Sequence, residues 1–204
     1  MKISHRQLES CRISPKSWVA SRQPGAGRAS FGYKQALNLA IATFHGTKNV
    51  AAANAKIDGY VAKNFKDAKR IAGLYEYLAE YAKWFATSGI ISADSNVLLA
   101  HPLEGNWQLG GLISRVDYLS SGYRAVLFEG IASGWKDQLR MPLIQTAIAV
   151  RYGRPATEVK VGIQELDGNT LTDTRYNIAQ RGSAEDEFQK IGAQVLKLLP
   201  NLSP

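Results

Sequence analysis

The sequence predicts an α/β fold with a helical lobe on the N-terminal side. Apolar residues recur at three- and four-residue steps over residues 30–87, which indicates helices. Residues 107–153 combine two strand-like segments with a helix, and residues 158–199 contain a further strand pair and a final helix. We therefore divide the chain into a basic helical lobe, 1–96, and an α/β core, 97–204, which together form one compact unit.

The central hairpin is predicted from two strand-like segments. Residues 108–119 and 123–131 are rich in β-branched and large apolar residues, and a Ser-Ser-Gly turn signal separates them. Over residues 135–152 the apolar positions follow a helical period. Pro142 lies within that run and suits a first helical turn, so the regular helix is expected to begin near it.

The remaining elements follow from the same patterns. Ser4 is an N-cap candidate for a helix that ends before Pro15, and Ser183 and Asp186 have the spacing of a capping box. The other helices are expected at residues 30–45, 49–60, 63–87 and 183–199. Strands are expected at residues 97–100, 158–166 and 170–176, with a turn at 92–96 and a hairpin turn at 167–169.

Composition excludes several classes of protein. No run of about 18 apolar residues is present, so we expect no membrane-spanning helix and no membrane partner. The N-terminus lacks an apolar signal segment, and the single cysteine, Cys11, fits a reducing compartment, so a cytoplasmic location is expected. One cysteine cannot form an internal disulfide or a four-cysteine metal centre.

The first third of the chain is strongly basic. The net charge is +8, but residues 1–70 hold thirteen Lys/Arg against three Asp/Glu, a balance of +10. This asymmetry is typical of a protein that contacts a polyanion, so DNA or RNA is the expected partner; a merely solvated basic surface is the alternative. The candidate phosphate contacts are Arg12, Lys16, Arg22, Arg28 and Lys34, with Lys63, Lys66 and Lys69 second.

Three segments carry a recognisable motif frame. They are Gly111-Leu112-Ile113-Ser114-Arg115-Val116-Asp117, Leu127-Phe128-Glu129-Gly130-Ile131 and Arg140-Met141-Pro142-Leu143-Ile144. This frame resembles the RecB-like branch of the PD-(D/E)XK nucleases, which includes the CRISPR-associated RecB-like exonucleases. That family carries G-x-I-D-R-h-D, h-h-D-x-K and Q-x-x-x-Y at these places (h, apolar), and G-x-x-H-x-x-L in an earlier helix. The resemblance implies a PD-(D/E)XK-like mixed sheet flanked by helices.

The resemblance also implies that the catalytic residues have been replaced. Ser114 stands where the family has a metal-binding Asp, Ile131 where it has the catalytic Lys, and Gln35 where it has a metal-binding His. Only Glu129 keeps its acidic type. These four residues would form a vestigial site, and we expect no metal and no cofactor there. Cys11 lies near the first iron–sulfur cysteine of many CRISPR-associated relatives, but their other three cysteines are absent.

Three functions remain open from the sequence. The first is a catalytically degenerate nuclease-fold protein that binds nucleic acid or scaffolds a nucleic-acid-processing or defence complex. The second is an active nuclease in which Asp117, Glu129 and Lys136 form a migrated site for Mg²⁺ or Mn²⁺. Against it, Asp117 follows Ser114 by three residues, so the two face opposite sides of a regular strand. The third is a protein-interaction subunit that does not bind nucleic acid.

Overall fold

The computed structural model describes residues 2–22, 32–64, 66–103 and 107–199, without the side chains of residues 63 and 64. Within this part of the chain, six strands form one mixed sheet: β1 (Lys2–Ser4), β2 (Ile91–Leu103), β3 (Trp107–Leu119), β4 (Gly122–Phe128), β5 (Val159–Gln164) and β6 (Leu171–Thr174). The α-helices of the same part are α1 (His5–Ile13), α2 (Pro15–Ala20), α3 (Tyr33–Thr47), α4 (Val50–Asn64), α5 (Ala68–Thr87), α6 (Arg140–Arg151) and α7 (Ile178–Leu198).

Strand β3 organises the sheet because three strands pair with it. Antiparallel β2 runs along one edge, from the Leu103–Trp107 pair to the Ile91–Tyr118 pair. The other edge is shared: β1 pairs in parallel with residues 108–110, and β4 pairs antiparallel with residues 115–119. The sheet then continues from β4 to parallel β5 and antiparallel β6.

Helices cover both faces of the sheet and produce two hydrophobic cores. Along β4, Ala125 and Leu127 belong to the core formed with α1, α2, α6 and α7, whereas Val126 and Phe128 belong to the core formed with α3, α4 and α5. Successive side chains of a strand point to opposite faces, so these two helix groups lie on opposite sides of the sheet. Trp18 is buried in the first core.

Local sequence explains where α5, α6 and α7 begin. Asp67 caps α5, since its carboxylate accepts a hydrogen bond of 3.1 Å from the Arg70 backbone N–H. Pro142 lies in the first turn of α6, where its missing N–H costs little. Helix α7 begins earlier than predicted because Asn177 and Gln180 form a reciprocal capping box, which leaves Ser183 inside the helix.

Two features of the sheet differ from the sequence prediction. Strand β1 was not predicted, because three residues are too short to show a period of two. The prediction of a turn at residues 92–96 is wrong, because β2 begins at Ile91 and pairs with β3 through that segment with a register shift between Ser92 and Asp94. A bulge lets polar residues remain in a strand that tertiary pairing stabilises.

The division into lobes at residue 96 stays a prediction. Strand β2 crosses that position, and β1 with α1 and α2 joins the sheet and the core on the α6 and α7 side. Helices α3, α4 and α5 form the opposite layer. Among the described residues, no helix is both long and apolar enough to cross a membrane.

Gly192 provides a test of the packing of α7. A Cβ atom there would lie 2.6 Å from the indole Nε1 of buried Trp107, so we expect Gly192→Ala to destabilise the protein. Overpacking costs about 1–3 kcal/mol, which exceeds the gain of up to about 1 kcal/mol from a better helix former. Urea unfolding measures the difference. The matched control is Gly182→Ala in the same helix, which has open space and should gain stability.

Candidate functional site

The shared edge of β3 leaves a fork in the sheet. Residues 111–114 lie between the part that pairs with β1 and the part that pairs with β4. Side chains bridge this gap: the Ser114 hydroxyl accepts a hydrogen bond of 3.1 Å from the Phe128 backbone N–H, and His5 Nε2–H donates to the Leu112 carbonyl at 3.0 Å. The fork therefore brings the start of α1, the middle of β3 and the end of β4 together.

His5 occupies this fork because Gly111 leaves room for it. Gly111 has a φ of 130°, and a Cβ atom there would lie 2.3 Å from the imidazole Cδ2 of His5. Burial lowers the pKa of His5 to about 4, against the hydrogen bond to Leu112, so the ring is neutral near pH 7. Gly111, which aligns with the glycine of the family's first strand motif, thus has a steric reason to be glycine.

Glu129 follows β4 at the open end of the fork and is bound by arginines. Arg140 donates to both carboxylate oxygens, at 3.1 Å and 2.6 Å, and Arg6 Nε lies 3.7 Å from Oε1. Burial by itself raises the pKa of Glu129, but the hydrogen bonds and charge of Arg140, with Lys34 and Arg6, outweigh it and lower the pKa. The carboxylate is therefore held ionised in a bidentate ion pair.

Lys34 approaches Glu129 from the other layer of helices. It extends from the first turn of α3, and together with Glu129 it lines a cavity of about 390 Å³ between α3, α5 and the ends of β4 and β5. The apolar part of the lining includes Leu74 and Phe128, with Tyr77 beside them. Glu165 and Asp167 add carboxylates on the β5 side, so the cavity combines both signs of charge.

The residues of the predicted vestigial site fall in different parts of this region. Ser114 and Glu129 lie at the fork, because the Ser114 hydroxyl contacts the residue that precedes Glu129. Ile131 lies two residues further on, and its backbone N–H donates 2.7 Å to the carboxylate of Glu165. Gln35 is half-buried on α3, next to Lys34 in the chain.

Asp117 lies in a separate, buried ion network on the α5 side of the sheet. Its carboxylate accepts two hydrogen bonds from Arg115, at 2.5 Å and 3.1 Å, and two from Arg124, at 3.1 Å and 2.9 Å. Arg115 also donates to the Tyr81 hydroxyl and, at 2.8 Å, to Gln164 Oε1. Asp117 and Arg115 have no exposed side-chain surface, so this cluster ties α5 to the sheet rather than facing a ligand.

The three residues of the migrated-site alternative are not brought together. Asp117 pairs across the ladder with Arg124, and Glu129 follows Arg124 by five residues, which is about 16 Å along a strand. Lys136 lies in a separate single turn, Trp135–Asp137, with its ammonium 5.8 Å from the centre of the Trp135 ring. A metal-dependent reaction needs such groups to converge on one ion.

The side chains at the fork do not fit a divalent-metal centre. Both oxygens of Glu129 face the Arg140 guanidinium, and the Ser114 hydroxyl accepts a backbone N–H. In the described ranges, no cluster of three His, Cys, Asp or Glu side chains could hold a metal ion. Mg²⁺ prefers carboxylate and phosphate oxygens, and here it would meet a guanidinium instead.

The predicted phosphate contacts are divided between the two helix layers. Arg12 on α1 is paired with Glu187 at 2.6 Å and with Glu9 at 3.3 Å, which engages its charge. Lys16 is exposed on α2, and the Arg22 guanidinium lies 4.5 Å from the centre of the Trp18 ring. Arg28 and the side chain of Lys63 lie outside the described part of the chain.

Of the other predicted contacts, Lys34 lines the cavity and Lys69 lines a neighbouring pocket with Glu76 and Glu80. Lys66 and Lys69 are exposed around the start of α5, and the Arg70 guanidinium of the same turn lies 5.6 Å from the centre of the Tyr33 ring. Tyr33 begins α3 and Arg70 lies in the first turn of α5, so this contact makes the first turns of the two helices neighbours. We name Arg6, Lys34, Lys66, Lys69 and Arg70 the cationic strip.

The architecture of this chain is similar to that of solved structures of other proteins. The crystal structure of a "Putative exonuclease" from Eubacterium rectale matches 88% of this chain and 72% of its own, with a TM-score of 0.55 and 8% identity. The chain has a nuclease-like fold. The structure of LHK-Exo in complex with dAMP matches 81% of this chain and 95% of its own at 13% identity, but its TM-score of 0.31 is too low to support an argument.

The nuclease-like fold confirms the predicted α/β class, with a mixed sheet flanked by helices. No protein-family model and no curated protein matches the sequence. Within this fold, sequence analysis overlooked His5, Arg6 and Glu165, because each reaches the site only through long-range contacts. Arg140 stands where the family's helix motif has Gln. Its positive charge, in a motif frame that keeps the acid Glu129, could have indicated the ion pair from the sequence.

The buried network predicts that Asp117→Asn strongly destabilises the protein. Removing one charge of a buried ion pair costs about 3–5 kcal/mol, since the partner charge stays buried without compensation. Chemical denaturation measures the loss. Asp186→Asn, an exposed change on α7, should stay within about 0.5 kcal/mol of the native protein, and equal effects for both variants would contradict the structural role of Asp117.

The Glu129–Arg140 pair predicts a pH-dependent contribution to stability. Because the pKa of Glu129 is lowered in the folded state, the pair stabilises the protein above the ordinary carboxyl pKa of 4.5 and loses this effect as the pH falls through the folded pKa. We expect Glu129→Gln to cost about 1–3 kcal/mol at pH 7 and progressively less as the pH falls below the ordinary carboxyl pKa of 4.5. Urea unfolding at several pH values measures the difference; a constant difference would contradict the ion pair.

Proposed function

We propose that this nuclease-fold protein no longer cleaves phosphodiester bonds and instead binds nucleic acid through its cationic strip. One observation carries the proposal: the bidentate Arg140 guanidinium on Glu129, the one acid that remains among the four positions of the vestigial site. An arginine thus takes up the coordinating oxygens that metal-dependent cleavage would need. The relation to the RecB-like branch and a role in a defence complex belong to the same proposal.

The charge balance at the fork supports binding of an anion. Arg6, Lys34 and Arg140 surround the carboxylate of Glu129, whereas Glu165 and Asp167 lie on the β5 side of the adjoining cavity. Arg140 neutralises Glu129, so Arg6 and Lys34 remain as exposed cations at the surface. A divalent cation would have to displace Arg140 and then lie against two further positive charges.

The cationic strip also has the composition of a surface for single-stranded nucleic acid. Its cations run from Arg6 past Lys34 to the first turn of α5, and Tyr77, which is 41% exposed, lies in the wall of the adjoining cavity. Lysine and arginine side chains bind phosphates without reading sequence, and aromatic side chains stack on bases of any identity. The expected ligand is therefore single-stranded DNA or RNA, bound through its backbone.

Binding can be measured by fluorescence anisotropy with labelled single- and double-stranded DNA and RNA at several salt concentrations. For the native protein we expect affinity to fall steeply with salt. The double variant Arg6→Gln/Lys34→Gln should bind at least tenfold more weakly and should lower the salt slope by about 2, because two phosphate contacts are lost. The control Lys190→Gln/Lys197→Gln removes two exposed lysines of α7 and should bind normally.

The same preparations decide whether the fold is inactive. Labelled nucleic acid incubated with EDTA, Mg²⁺ or Mn²⁺ should remain intact. Mn²⁺-dependent cleavage that is abolished in Glu129→Ala would overturn the loss of activity and favour a metal site at the fork. Absence of any salt-sensitive binding would overturn the nucleic-acid part of the proposal and favour a role in protein interaction.

A further inference from the structure

A second surface lies at the opposite end of α3. From Lys34 to Phe44 the helix extends ten residues, about 15 Å, and there the ends of α3 and α5 enclose an open groove of about 730 Å³. Val50 at the start of α4 and Ile90–Ile91 at the start of β2 also line it. We call it the apolar groove; it shares no residue with the cationic strip.

The groove leaves apolar side chains open to solvent. Ile91 is 66% exposed, and Val50, Phe85 and Ile90 are only partly buried. A contiguous apolar surface that several elements form together is typical of an interaction site, whereas single exposed apolar side chains are ordinary.

The floor of the groove has the spacing of a helix-packing face. Ala79, Ala82, Lys83 and Ala86 follow one another along α5 at steps of three, one and three residues, so they lie on one side of the helix. Three of these four side chains are a single methyl group, which lets a second helix approach closely. Larger apolar residues from α4 and β2 stand beside this row.

The charges on the groove have one sign. Lys48 and Lys83 line it, and no described residue in its lining carries a carboxylate. Neither lysine pairs with a carboxylate within the described residues, and the Lys48 ammonium lies 5.3 Å from the centre of the Phe85 ring, at the edge of the apolar floor. The groove therefore combines an apolar floor with uncompensated positive charge.

We propose that the apolar groove binds an acidic amphipathic helix of a partner protein. The partner's apolar residues, at helical i, i+3, i+4 and i+7 spacing, would pack on Ala79, Ala82 and Ala86, and its carboxylates would pair with Lys48 and Lys83. Charge complementarity selects this partner over a basic helix, and over a second copy of this basic chain. The proposal does not depend on nucleic-acid binding, because the two surfaces use different residues.

The test uses the full chain and a fluorescein-labelled 18-residue helical peptide. The peptide carries Leu and Phe on one face and Glu on the other, and a second peptide has Lys in place of every Glu. We expect saturable binding of the acidic peptide, detected by anisotropy, and no binding of the basic one. The variant Lys48→Glu/Lys83→Glu should bind the acidic peptide at least tenfold more weakly, whereas Lys190→Glu/Lys197→Glu, an equal change of charge on α7, should leave binding unchanged.

A second variant separates packing from charge. Ala79→Gln/Ala86→Gln keeps the net charge but places two long polar side chains on the exposed floor, so it should also weaken binding at least tenfold. Circular dichroism confirms that each variant is folded before binding is compared. Failure of the native chain to bind the acidic peptide, equal binding of both peptides, or unchanged binding by the groove variants would overturn the proposal. So would self-association that the groove variants abolish, because that outcome assigns the groove to a second copy.

Discussion

The edge of β3 opposite β2 is shared by two strands that follow different directions. Parallel β1 takes residues 108–110, antiparallel β4 takes residues 115–119, and the backbone between them must find other partners. Ser114 and His5 provide them, which holds the beginning of α1 and the end of β4 at the same fork. The positions of Glu129 and Arg6 follow from this division, because they extend from the end of β4 and the start of α1, and Arg140 reaches Glu129 from the first turn of α6.

At that fork, electrostatics supports the proposal that the fold persists without nuclease chemistry. A partly buried carboxylate needs a compensating charge, and either a metal ion or a guanidinium can supply it. Arg140 supplies it here from the first turn of α6, with two hydrogen bonds that fit the planar carboxylate. Under the proposed function, this guanidinium takes the place of a metal ion, and the cations around Glu129 would attract phosphate.

Helices α3 and α5 connect the two proposed surfaces. The buried network ties α5 to β3 through Tyr81 and Arg115, and neutral His45 of α3, whose pKa burial lowers to about 3, contacts the same Tyr81 hydroxyl at 2.8 Å. This anchoring lies beside the apolar groove, since His45 follows Phe44 and Tyr81 precedes Ala82. The cationic strip occupies the first turns, and the apolar groove occupies the last turns.

The sequence by itself determined the α/β class, the central hairpin, most helices and the basic character of the first third, because these depend on local periodicity and composition. It also marked Ser114, Gln35 and Ile131 as departures from a nuclease motif. It missed β1 and the first part of β2, since short or polar strands exist only through their pairing with β3. Only the tertiary structure decided that Arg140 and Arg6 reach Glu129 while Asp117 faces Arg115 and Arg124. Partner choice among charged side chains depends on which faces of the sheet and helices meet, and the one-dimensional pattern does not contain that information.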